Sequence, residues 1–140
     1  MRFRRETIAG AAALALAGFI TISCGGVNDP SKNTAQDLVV TVAARGGQSN
    51  IQTFNISNSG EYSVKVTASN PTFSGTFALN VGIGDASSCG IIQQNFFATV
   101  NGASLGGPVA QKGLYCVFVA DINGSFTQTP ISFTIQASHP

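Results

Sequence analysis

From Leu38 onward, apolar and polar residues alternate with a period of two, the spacing at which side chains project from opposite faces of a β-strand. Leu38, Val40 and Val42 alternate with Val39, Thr41 and Ala43, and Phe54 and Ile56 mark a short second strand. Tyr62, Val64 and Val66 alternate with Glu61, Ser63, Lys65 and Thr67, so the third strand has one wet face. Phe77, Leu79, Val81 and Ile83 form the next set. Around Tyr115, Val117 and Val119 the intervening Leu114, Cys116 and Phe118 are apolar as well, which predicts a central strand buried on both faces. Ile131, Phe133 and Ile135 alternate with Ser132, Thr134 and Gln136 in a last strand. Turn signals separate the runs: Arg45-Gly46-Gly47, Asn58-Ser59-Gly60, Asn70-Pro71, Gly106-Gly107-Pro108 and Asn123-Gly124. The stretch from Cys89 to Ala110 is less periodic and predicts one or two short strands around Ile91 to Val100. The pattern as a whole predicts an all-β domain over residues 37–140, an antiparallel sandwich or a barrel.

Composition adds an environment to this fold. Only 9% of the 140 residues are charged, against roughly 25% in ordinary soluble domains. Gly, Ser, Thr and Asn fill the polar positions, a composition suited to strands and turns outside the cell. Basic residues form no stripe that could neutralise phosphates, which argues against a nucleic-acid partner.

The first 23 residues differ from the rest. Met1-Arg2-Phe3-Arg4-Arg5 is a basic start, and Ile8 to Ile22 is an uncharged, mostly apolar run. That run is shorter than the ~20 residues a spanning helix needs and fits the apolar region of a signal peptide. The segment Ile20-Thr21-Ile22-Ser23-Cys24-Gly25-Gly26 resembles a bacterial lipobox, with Thr21 standing where leucine is usual. It implies lipidation of Cys24 and a membrane-anchored lipoprotein of the cell envelope; simple cleavage to a periplasmic or secreted protein is the alternative. Residues 24–36 then read as anchor and polar tether. Three cysteines leave an odd one in an exported chain. With Cys24 lipidated, Cys89 and Cys116 remain as a disulfide pair in an oxidising compartment, the alternative being two separate buried thiols.

No catalytic set assembles along the chain. Its one histidine, His139, is one residue from the end, where chains fray. The acids are scattered. Asp121-Ile122-Asn123-Gly124 carries part of a calcium-loop pattern, but lacks the remaining ligands and the closing glutamate; a hairpin turn through Asn123-Gly124 accounts for the same residues. Asp85, in Gly84-Asp85-Ala86-Ser87-Ser88, reads first as a turn residue. Asp85 and Asp121 are thus weak metal candidates, and no cofactor is expected. Sugar binding would need exposed aromatic faces. Tyr62 and Tyr115 fall on buried-looking strand faces; Phe96-Phe97 break the alternation, with core packing the expected role for that pair and exposure of one ring the alternative.

Two stretches resemble the bacterial pre-peptidase C-terminal domain: Phe54-Asn55-Ile56-Ser57 through Gly60 to Val66 and Phe77 to Val81, then Gly113 to Val119 with Ile131 to Ile135. The likeness spans about Ile51 to Ala137. The ending His139-Pro140 is also similar to that of small exported proteins of soil-type bacteria. Both resemblances imply a jelly-roll-like sandwich and an accessory or binding module. Some members of the domain family bind calcium through paired acids in the middle apolar strand; Ala78 and Asn80 stand there in this chain, so that site does not carry over. The resulting expectation is a non-enzymatic envelope module for interaction or structure, with an extracellular protein or glycan as partner and carbohydrate binding as the alternative.

Overall fold

A computed structural model describes residues 32–126 and 129–140. The leader, Cys24 and most of the expected tether lie outside the described residues. Among the described residues eight strands follow one another: β1 (Thr34–Val42), β2 (Gln52–Ile56), β3 (Glu61–Asn70), β4 (Phe77–Ile83), β5 (Gly90–Ala98), β6 (Leu105–Pro108), β7 (Gly113–Ala120) and β8 (Ile131–His139). They form two four-stranded antiparallel sheets. The first, sheet A, has the order β1-β8-β3-β6, and the second, sheet B, has the order β2-β7-β4-β5. Most connections cross from one sheet to the other; only β4 and β5 are sequence neighbours within a sheet. The alternation predicts a sandwich or barrel, and the strand order is that of a jelly-roll sandwich, the form the family resemblance implies.

The alternating apolar sets meet between the sheets. Sheet A supplies Val40, Val42, Val64, Val66, Phe133 and Ile135; sheet B supplies Phe54, Ile56, Phe77, Leu79, Val81, Tyr115, Val117 and Val119, all buried. Burial of each such side chain stabilises by roughly 1.5–3 kcal/mol relative to exposure. The two ends of the core differ. One end is a dry phenylalanine cluster: Phe73 lies 5.3 Å from Phe126, and Phe77 lies 4.9 Å from Phe133, centroid to centroid. The other end is amphipathic. Phe54 packs 5.7 Å from Tyr115, and Tyr115 lies 5.3 Å from Tyr62. Both tyrosine hydroxyls are satisfied, Tyr62 Oη donating to Gln93 Oε1 at 3.0 Å and Tyr115 Oη to the Gln111 carbonyl at 3.0 Å.

The structure corrects the sequence reading at four places. First, β1 starts at Thr34, inside the expected tether, because Thr34 to Gln36 pair with His139 to Ala137 of β8. Second, the same pairing orders His139: its ring stacks 5.5 Å from that of Phe54 instead of fraying. Third, Asn123-Gly124 is not a hairpin turn, since β7 and β8 belong to different sheets; it lies in a crossover loop, with Gly124 at φ 65°. Fourth, the weakly periodic stretch holds the nine-residue β5 as well as β6. Its pattern is obscured by register shifts opposite Ala78 and between Val81 and Gly82.

Candidate functional site

Once the inward residues are spent on the core, each sheet presents the alternate set outward. Sheet A shows Asp37, Val39 and Thr41 from β1, Ser132, Thr134 and Gln136 from β8, and Ser63 and Lys65 from β3. Thr41 and Ser132 share a hydroxyl hydrogen bond of 2.9 Å, and Gln136 Nε2 approaches Asp37 Oδ1 at 3.5 Å. This is an ordinary wet face.

The outer face of sheet B has another chemistry. Following the register outward gives Leu114, Cys116 and Phe118 on β7 beside Ala78, Asn80 and Gly82 on β4. Phe118 is only 6% exposed and Asn80 fully buried. No outward position of this sheet carries a charge.

Two local devices organise that face. The first is the disulfide between Cys89 and Cys116, with Cα atoms 5.8 Å apart, within the reach such a bridge requires. It ties the start of β5 to the central strand β7. Gly82 lies beneath it: a Cβ there would stand 2.8 Å from Cys89 Sγ, 2.9 Å from Cys116 Sγ and 2.6 Å from the Gly90 carbonyl oxygen. Only a residue without a side chain lets the bridge lie flat on the sheet. The second device is an amide pair, Gln94 Nε2 donating to the Oδ1 of Asn80, while Asn80 Nδ2 reaches the Ala78 carbonyl at 3.4 Å. A buried amide costs free energy unless bonded, so this pair fixes β5 against β4.

The same face overturns the expectation for Phe96-Phe97. Core packing was the main expectation, with one exposed ring as the alternative, but both are exposed, Phe96 48% and Phe97 78%. The cause is a β-bulge. Phe77 pairs Ala98 and Leu79 pairs Asn95, which leaves Ala78 alone opposite both phenylalanines. Ala78 is an outward position, so the bulge sets two large rings on the outer side where regular pairing would set one. A second register shift does the same for Ile91 and Ile92 opposite Gly82; both are exposed. Asn95 Oδ1 accepts the Phe97 N–H at 3.0 Å and holds the first bulge in shape. The sequence did signal this site, as the broken alternation of Gly90 to Ala98, but a broken pattern does not say which residues turn outward.

The remaining sequence candidates are turn builders. Asp85 Oδ1 accepts from the N–H and hydroxyl of Ser87 (2.8 and 2.7 Å) and of Ser88 (2.8 and 3.0 Å). These bonds, those of Ser87 first, hold its pKa down to about 2. Burial opposes the charge on Asp121, yet N–H groups of Phe126, Ser125 and Asn123 and the Ser125 hydroxyl together keep its pKa below the usual range. Both carboxylates are thus engaged by their own loops. Among the described residues no three of His, Cys, Asp and Glu are grouped to hold a metal ion. Tyr62 and Tyr115 are buried, as expected, and desolvation, reinforced by Tyr115, raises the pKa of Tyr62.

These features define a class: an eight-stranded antiparallel sandwich, disulfide-pinned, with one wet and one apolar outer face. No family model matches the chain, and no curated protein matches its sequence. Among solved structures it is similar to the crystal structure of the Yersinia pseudotuberculosis-derived mitogen, YPM, with a TM-score of 0.51 and 10% identity over 77% of this chain and 87% of that one. At that identity the likeness concerns the β-sandwich fold alone.

Proposed function

We propose that this chain is an exported, non-enzymatic interaction module, held at an envelope membrane by a lipid on Cys24, that receives its partner on the apolar flank of sheet B. One observation carries the reading: Ile91, Ile92, Phe96 and Phe97 are large, apolar and exposed along the edge strand β5. Grouped exposed apolar side chains mark interaction sites more often than scattered ones. The resemblance to pre-peptidase C-terminal domains supports the same accessory role. A photo-crosslinking residue at position 97, compared with one at position 136 on sheet A, tests the site in the intact envelope. Discrete products from 97 and none from 136 are expected; equal yields from both would sink the reading. Mass spectrometry of the mature N-terminus tests the anchor, which fails if the chain starts beyond Cys24 or carries no lipid.

Carbohydrate binding is the second reading. The exposed Phe96 and Phe97 rings, beside the amides of Gln94 and Asn95, favour it, because rings can stack on sugar faces. A glycan array decides it: a hit must vanish with Phe97→Ala.

A further inference from the structure

The four sheet edges are unequal. β6 is four residues long and reads Leu-Gly-Gly-Pro, with proline limiting pairing. β2 has five residues. β1 has nine but carries Asp37. β5 also has nine, without charge or proline, and the chain from Ala86 to Gln111, covering both β5 and β6, holds no charged residue. Native proteins protect a long edge with charge, proline or bulges, and of these β5 has only the bulges. The sequence of β5 is also close to a palindrome: Ile91-Ile92-Gln93-Gln94-Asn95-Phe96-Phe97 reads apolar pair, three amides, apolar pair. The two bulges repeat the symmetry, one at each apolar pair.

We propose that the partner is a second copy of this chain, docked antiparallel along β5 with a two-fold axis at Gln94. This deepens the interaction reading above and rests on it. A two-fold interface presents the same patch twice, so it must be self-complementary. Centring the axis on Gln94 places Ile92 opposite Phe96 of the second copy, Ile91 opposite Phe97, and Gln93 opposite Asn95. Each apolar pair meets an apolar pair, and amides meet amides. Moving the axis by half a residue or one residue in either direction sets isoleucine or phenylalanine against an amide. The absence of charge removes the repulsion that would otherwise keep two identical edges apart. The dimer joins two copies of sheet B into one eight-stranded sheet, and it covers the exposed rings that no part of the described chain covers.

The register makes a test possible. Ile92→Cys and Phe96→Cys are made separately, each together with Cys24→Ser so that no other free thiol competes; both positions are exposed, and the native cysteines at 89 and 116 stay bonded to each other. Residues opposite each other across an antiparallel pair have Cβ atoms about 4.5–5.5 Å apart. Two copies of position 92 would be offset by four residues, about 14 Å along the strand. A short bismaleimide should therefore link the mixture of the two variants and neither variant alone. Unmodified chain should sediment as a dimer, and Phe97→Asp should weaken self-association roughly tenfold or more, a loss usual for a buried aromatic anchor. Monomeric sedimentation with no link in the mixture overturns the dimer. Equal linking of single variants overturns the register. If position 97 still captures another species while the chain remains monomeric, the docking surface stands and the second copy does not.

Discussion

The two sheets share a core, yet their outer faces obey different rules. Sheet A follows simple alternation: the inward residue is apolar and the outward one is Ser, Thr, Gln, Lys or Asp, with Val39 the exception. Sheet B buries residues on both sides of its central strands, Phe118 and Asn80 outward as well as Val117 and Val81 inward. A face that must meet only water can be made of any short polar residues. A face that carries a disulfide, a buried amide pair and apolar side chains is specified residue by residue. Substitutions should therefore cost far more on sheet B than at matching positions of sheet A.

The largest effect expected is from Phe118→Ala. Phe118 is nearly buried although it points away from the core, so its loss should cost about 3–5 kcal/mol, as for a core phenylalanine. A urea titration measures it. A cost near zero would erase the difference between the faces.

Removal of the disulfide comes next. It closes a separation of 27 residues, for which the loop-entropy account gives about 3–4 kcal/mol. The double substitution Cys89→Ala with Cys116→Ala, read by thermal melting, should show that loss. Reduction of the unmodified protein should reproduce it. Because the bridge pins β5, amide exchange in Gly90 to Ala98 should accelerate more than in β8; uniform acceleration would mean that the bridge acts on the whole domain.

A third, smaller effect concerns Asp121, which orders the loop that carries Phe126 into the dry end of the core. Its pKa is lowered in the folded protein. The stabilisation from a depressed carboxylate is present above the unfolded value of about 3.9 and disappears as pH falls through the lower folded value. Stability of the unmodified chain should thus decline below about pH 4. Asp121→Ala should cost about 1–3 kcal/mol at neutral pH, the usual range for stripping a partner from part-buried donors, and should flatten that decline. An unchanged acid slope in the variant would assign the pH dependence elsewhere.

The legibility of the two sheets in the sequence follows the same division. Three strands of sheet A were readable because each has one wet face, so Tyr62 to Val66 and Ile131 to Ile135 announce themselves through alternation; the fourth, β6, was read as the turn Gly106-Gly107-Pro108, because a Gly-Gly-Pro run carries no alternation. The central position of β7 was readable too, from its doubly apolar run, and cysteine counting found the Cys89–Cys116 bridge. What could not be read is β5. Its bulges break the period of two, and a pair such as Phe96-Phe97 looks the same in sequence whether it fills a core or faces outward. The ends of β1 and β8 were also cut short, because Thr34 and His139 become strand only by pairing with each other across the whole length of the domain.

The smallest effect expected is on sheet A itself. Gln136 lies on β8, an inner strand, between Asp37 of β1 and Lys65 of β3. Its position in sheet A thus matches that of Phe118 on β7 of sheet B, an inner strand facing outward. Yet Gln136 is exposed, and its one side-chain bond, to Asp37, is 3.5 Å long. Gln136→Ala removes neither buried area nor a well-formed bond, so it should change stability by less than about 0.5 kcal/mol. The same urea titration used for Phe118→Ala measures it, and the two should differ by about 2 kcal/mol or more. A cost above about 1 kcal/mol for Gln136→Ala lies outside the range of ordinary surface sites. That result would mean that sheet A too has a covered outer face, and the asymmetry on which the proposed docking side rests would be lost.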